Sequence, residues 1–142
     1  MIILAVDLGK VRTGLAVCDP GEMLASPLTV IHESDPEQLV QKIAEAAAER
    51  KARQIVVGLP RNMDGSEGES AQSARTLAKR IGEVTGLPVE LMDERGTTVT
   101  AHIYMNDVNR RGAKRKSVVD AVAATVILEN FLQGRRLRGE KP

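Results

Sequence analysis

Apolar residues come in short bursts along this chain, and the period of each burst indicates the element it builds. Ile2–Val6 and Leu15–Cys18 are two unbroken apolar runs separated by a glycine-bearing turn, so they read as a β-hairpin. Leu24–Ile31 reads as a third strand, with Pro27 marking an edge position or a bulge. Ser34-Asp35-Pro36-Glu37 is a helix start: a capping side chain, a proline near the first helical position and an acid in the first turn. Leu39, Ile43, Ala46 and Ala47 then form one helical stripe. Gln54–Gly58 is a short apolar strand, and 61–68 a polar loop. A second helix runs from about Glu69 to Val84, with Ala71, Ala74, Leu77, Ala78 and Ile81 inward and Gly86 as its stop. Pro88–Met92 is another strand, ending on Asp93-Glu94. A helix is expected from Thr98 to about Asn106, then a polar, basic, mobile loop over Asp107–Lys116. Ser117 opens a last helix that is apolar nearly all round and so buried. The order β-β-β-α-β-α-β-α-α predicts an α/β fold: a mixed sheet with helices on its faces.

Composition narrows the class. The 142 residues read as one domain, with 134–142 a charged tail expected to fray. The core must be aliphatic, for there is no Trp, one Tyr and one Phe, which also argues against stacking on unpaired bases. A single cysteine, Cys18, excludes an internal disulfide and fits a reducing compartment. No run approaches the roughly 18–20 apolar residues of a membrane span, so a cytoplasmic protein with no membrane partner is expected. Net charge is only +1, but Arg110, Arg111, Lys114, Arg115 and Lys116 fall together with no acid among them.

Four acids stand out by position. Asp7 ends the first strand, Asp93 and Glu94 end the last, and Asp120 lies near the start of the final helix. Functional groups in α/β sheets gather at the carboxyl ends of the strands, so three distant segments can bring carboxylates to one edge. Clustered carboxylates repel unless a cation joins them, and an oxygen-only donor set suits Mg²⁺ or Mn²⁺. Two such ions about 4 Å apart form a clamp for phosphodiester hydrolysis. His32, His102 and Cys18 make no zinc pattern. Each acid also has an ordinary alternative. Asp7 caps a turn, Asp93-Glu94 caps a helix or pairs with Arg95, and Ser117-x-x-Asp120 forms a capping box.

The segments VDLGKVRTGLAV, IVVGLPRNMDGSEG, LMDERGTTVTA and KSVVDAVAATVILENFL, in this order, resemble the YqgF (RuvX) family, over Ile2 to about Gln133. The resemblance implies an RNase H-like three-layer fold with a mixed five-stranded sheet, three strands antiparallel and two parallel. It also implies a metal-dependent nuclease, in maturation of the 5′ end of pre-16S rRNA or, alternatively, in cleavage of Holliday junctions. Carried onto this chain, the catalytic acids are Asp7, Glu94 and Asp120, which would hold the Mg²⁺ or Mn²⁺, with Asp93 beside them. After DER this chain has Gly96 where many members have Leu. Compared with RuvC-type resolvases, the QIVVG strand ends on Gly58 with no acid, so the second-strand carboxylate must be Asp93 or Glu94.

A nuclease also needs cations along the nucleic-acid backbone. Lys10 and Arg12 follow Asp7, Arg61 and Asn62 leave the QIVVG strand, Arg95 and Thr97 follow the acid pair, and Lys114, Arg115 and Lys116 precede Asp120. Ser66 is a further candidate phosphate donor. The partner is thus a nucleic acid, an rRNA precursor or branched DNA, and by extension a ribosomal assembly particle. Either a monomer or a homodimer is compatible, and a two-fold junction would suit a dimer. Two other classes compete. An actin- or hexokinase-type nucleotide-binding module shares the D-x-G turn but needs two such domains to close over ATP. A non-catalytic RNA- or ribosome-binding scaffold would use the acids structurally.

Overall fold

The computed structural model describes residues 1–94 and 114–142, with residues 114–120 described by their backbone alone. Five strands form one sheet: β1 (Ile3–Asp7), β2 (Arg12–Cys18), β3 (Ala25–His32), β4 (Gln54–Leu59) and β5 (Val89–Asp93). Their order is β3-β2-β1-β4-β5. β1, β2 and β3 pair antiparallel, whereas β4 pairs parallel to β1 and β5 parallel to β4. This is the predicted division into three antiparallel and two parallel strands. Helices α1 (Pro36–Glu49) and α2 (Glu69–Thr85) make the connections that parallel pairing demands, and α3 (Lys114–Leu137) closes the chain.

Alternation along the strands assigns the two faces. Leu4, Val6, Leu15, Ile55 and Val57 pack with Leu39, Val40, Ile43, Ala78 and Ile81 of α1 and α2. Ile3, Ala5, Ala16, Cys18 and Val56 pack with Ala124, Ile127, Leu128, Phe131 and Leu132 of α3. Because both faces are covered, β4 carries an apolar side chain in either direction, which explains its unbroken hydrophobic run.

Local signals act where the sequence places them. Asp35 caps α1, accepting a 2.9 Å hydrogen bond from the Gln38 N–H, and Pro36 is the first helical residue. Gly86, at φ +70°, ends α2 in the left-handed region. Pro27 lies on the edge strand, next to a bulge opposite Leu15 and Ala16, so both readings of that proline hold.

Three expectations need correction. β2 begins at Arg12 rather than Leu15, because Arg12 and Thr13 pair with His32 and Ile31 of β3. α3 begins at Lys114, so Ser117 lies inside the helix and is not its cap, and Lys114–Lys116 are helical rather than loop. The tail expected to fray from 134 is helical to Leu137. Arg135 is buried there, donating to both carboxylate oxygens of Glu22 at 2.6 and 3.1 Å. The helix predicted over 98–106 lies outside the described residues, as does most of the predicted basic loop over 107–116.

Candidate active site

Asp7 takes its position from the alternation of β1. Ile3 and Ala5 point to the α3 side, and Asp7 continues that phase at the strand's carboxyl end. Its partner across β2 is Gly14. On the other side, the register that pairs Val6 with Val57 brings Gly58 alongside. The carboxylate therefore stands between two strands that present glycine. The turn that follows is tight: a Cβ on Gly9 would run into the Arg12 carbonyl oxygen.

Glu94 arrives from β5. Its backbone N–H donates to the Leu59 carbonyl at 3.1 Å, which extends the β4–β5 ladder by one residue and keeps the alternation. Met92 and Glu94 thus share the α3 side, while Leu91 and Asp93 share the other. The Glu94 side chain lies over Gly58. A Cβ built on that glycine would sit 2.5 Å from Glu94 Oε1, 2.6 Å from its Cδ and 2.7 Å from Ile127 Cδ1. There the Glu94 carboxyl meets Asp7. Burial pushes it up most, and the hydrogen bond with Asp7, the Asp7 charge and the Asp93 charge add to that, taking it to about 9.

Asp93 has different company. Asp93 Oδ2 faces the Arg61 guanidinium at 3.6 Å, and Arg61 Nε lies 3.4 Å from Glu67. Glu67 in turn accepts two 2.7 Å hydrogen bonds from Arg75 of α2. Between these anchors the 61–68 loop is knitted to itself. Asn62 donates to Ser66 Oγ at 2.9 Å, and the Ser66 N–H and hydroxyl both donate to Asp64, at 2.9 and 2.6 Å. Asn62 and Ser66, read from sequence as substrate contacts, thus shape the loop. Lys10 is exposed on the β1–β2 turn and lines a cleft of about 380 Å³ that reaches the first turns of α1 and α2. Arg12 opens β2, half-buried.

The fold thus brings Asp7 and Glu94 together and turns Asp93 to the opposite face. Arg95 and Thr97 lie outside the described residues. Lys114, Arg115, Lys116 and Asp120 are placed on the α3 backbone. Gly58 and Glu67 were missed as contributors. Gly58 had a signal, being the one residue without a side chain in the apolar run from Ile55 to Leu59; Glu67 had none beyond its charge.

The donor chemistry fits a hard divalent cation. Two carboxyls forced into hydrogen-bond contact cannot both ionise without one, and each offers only oxygen. Among the described residues no three metal-binding side chains converge.

Residues 1–134 match the family model described as RuvX, Holliday junction resolvase. A protein of Rhodopirellula baltica, named as a proposed pre-16S rRNA nuclease, is 44% identical over 97% of this chain and 80% of its own length. One of the same name from Anaeromyxobacter is 42% identical over 95% of this chain and 98% of its own. Among solved structures, Thermus thermophilus RuvC with a Holliday junction substrate superposes with a TM-score of 0.61 at 14% identity, covering 96% of each chain. The fowlpox virus resolvase bound to junction DNA gives 0.59 at 8% identity, over 94% of this chain and 98% of that one. These distant likenesses establish the RNase H-like fold.

Proposed function

The chain belongs to the RuvX family, and from that premise we propose that it is a divalent-metal-dependent nuclease that processes the 5′ end of pre-16S rRNA. The observation that carries the reading is the Asp7–Glu94 contact over Gly58. There the fold presses two carboxyls together at the carboxyl edge of the sheet, where functional groups of α/β folds gather. Asp120 is the third member of the set. It is four, seven and eleven residues before Ala124, Ile127 and Phe131, which pack on this face of the sheet, and so lies in their helical phase.

Asp7, Glu94 and Asp120 would hold Mg²⁺ or Mn²⁺. When bound, the metal supplies Lewis-acid stabilisation of the phosphate and a more acidic water. The rest falls to the chain. Asp7 and Glu94, in hydrogen-bond contact, would have to give up the proton between them to hold the metal, so binding would be favoured by higher pH. Lys10, Arg12 and the basic first turn of α3 contribute sequence-independent affinity for the phosphate backbone. Arg61 is oriented by Asp93 and Glu67, so a phosphate reaching it would meet a guanidinium already fixed in direction.

The choice of RNA over junction DNA follows the relatives named as rRNA nucleases, which are far closer in sequence than the resolvases. The test is Mn²⁺-dependent cleavage of a pre-16S rRNA 5′ segment beside a four-way DNA junction, with Asp7→Asn as control. Cleavage of the RNA alone, lost in the variant, is expected. Cleavage of the junction alone would transfer the activity to DNA, and undiminished cleavage by Asp7→Asn would overturn the metal mechanism.

A further inference from the structure

We propose that Gly58 is a positioning residue for this site: the absence of a side chain at the end of β4 is what lets the Glu94 carboxyl reach Asp7. This rests on the reading of Glu94 as a metal-holding acid.

β4 is apolar on both faces, and every other residue from Ile55 to Leu59 buries a side chain. A strand of this kind favours β-branched residues, and glycine weakens it. The backbone here does not call for glycine, since Gly58 is not among the residues with positive φ. What calls for it is occupancy. The space a Cβ would take is bounded by Glu94 and by Ile127 of α3, within 2.7 Å on both sides. Gly58 is therefore where three segments meet: β1 carrying Asp7, the end of β5 carrying Glu94, and α3, which carries Asp120 two helical turns before Ile127. A methyl group at 58 has two ways to fit. It can push the Glu94 carboxyl away from Asp7, or push Ile127 and α3 off the sheet. Both obstacles are ends of flexible side chains, so the fold survives and the carboxylate set is what changes.

The experiment uses the full chain and four forms: wild type, Gly58→Ala, Ile127→Val and the double variant. Ile127→Val removes the Cδ1 atom that the new methyl group would strike. It therefore relieves the packing conflict and leaves the conflict with Glu94. Three quantities are read: the rise in Tm caused by Mn²⁺ without substrate, kcat and KM for the cleaved RNA, and Tm in chelator. For Gly58→Ala, the Mn²⁺-induced rise should shrink or vanish. kcat should drop about a hundredfold, the cost of roughly 1 Å of misplacement, while KM stays within about twofold. In the double variant, Tm in chelator should recover while kcat and the Mn²⁺ response stay low.

If Gly58 serves packing alone, the double variant regains kcat and the Mn²⁺ response together with Tm, and the proposal fails. It fails equally if Gly58→Ala keeps wild-type kcat. Glu94→Gln separates this from failure of the functional reading: if that variant cleaves at the wild-type rate, the metal role of Glu94 is wrong. If it does not cleave and Gly58→Ala does, only the positioning role is wrong.

Discussion

Glu22 and Glu94 are both glutamates drawn out of water, at opposite ends of the sheet and in opposite company. Glu22 lies in the β2–β3 turn, 5% exposed, where Arg135 grips both its oxygens and the Met1 amino group adds a third contact at 3.1 Å. Burial alone would push its carboxyl up. The hydrogen bonds and charges of Arg135 and the amino group outweigh that and hold it below its ordinary value. Glu94 is also penalised by burial, and the second acid it meets adds to that, so its carboxyl is raised. A carboxylate matched with a cation ties elements of the fold together, whereas a carboxyl pressed on another acid is pushed up. The end of the sheet around Glu22 clips α3 to the β2–β3 turn; at the other end two carboxyls meet.

The largest expected effect separates the two ends by what they control. Asp7→Asn or Glu94→Gln should lower metal-dependent cleavage by more than about a hundredfold, the upper range for groups that only support metal ligands. Each variant should fold about as well as wild type in chelator, since the amide can keep the hydrogen bond between the two side chains. Arg135→Leu should do the reverse, leaving kcat per folded molecule near wild type. It should cost about 3–5 kcal/mol of stability by stranding Glu22 without its buried partner. Cleavage assays beside urea unfolding check both; an Arg135→Leu protein as stable as wild type would remove the clip from the argument.

The next effect is a pair of opposite pH dependences in metal-free protein. The folded-state value of Glu22 lies below the ordinary 4.5, so its contribution is complete above that value and is lost as pH falls through the lower folded one. For Glu94 the folded-state value lies above 4.5, so its contribution is complete below that pH and is lost as pH rises through about 9. Unfolding free energy measured in chelator should therefore sag at both extremes. Glu94→Gln should abolish the alkaline loss only, and Arg135→Leu should weaken the acid loss only. An alkaline limb unchanged by Glu94→Gln would mean that Glu94 is not the source of the alkaline loss.

The two ends also differed in how much of them the sequence announced. Asp7 was legible because a lone carboxylate closing a buried apolar run is costly, and Asp35-Pro36 and Gly86 were legible because caps act through their own backbone. The mixed sheet with helices on its faces followed from the hairpin and the β-α-β units after it. The Glu22–Arg135 clip was not legible: its members are 113 residues apart, and Arg135 looked like part of a charged tail. Nothing local marks a surface-type residue as buried when its partner comes from another element. The same blindness applied to Gly58, whose meaning depends on a side chain 36 positions away that reaches it only once β4 and β5 pair. Between Asp93 and Glu94, composition offered no distinction, while the pleat of β5 turns them to opposite faces.

That separation yields the smallest expected effect and the sharpest comparison, because the two acids are adjacent. Asp93 points to the α2 side and sits 3.6 Å from Arg61, with both side chains about 30% exposed. A pair at that distance and exposure contributes about 1 kcal/mol or less. Asp93→Asn should therefore unfold within about 1 kcal/mol of wild type and keep kcat within a few-fold. KM should rise modestly as Arg61 and the 61–68 loop lose one of their anchors. Glu94→Gln, one residue on, should lose cleavage with KM little changed. The contrast tests the strand geometry rather than charge, since each variant removes one carboxylate from the same dipeptide. If Asp93→Asn lost cleavage as completely as Glu94→Gln, the two acids would act as one unit. The alternation of β5 would then not be what sorts a ligand from an anchor.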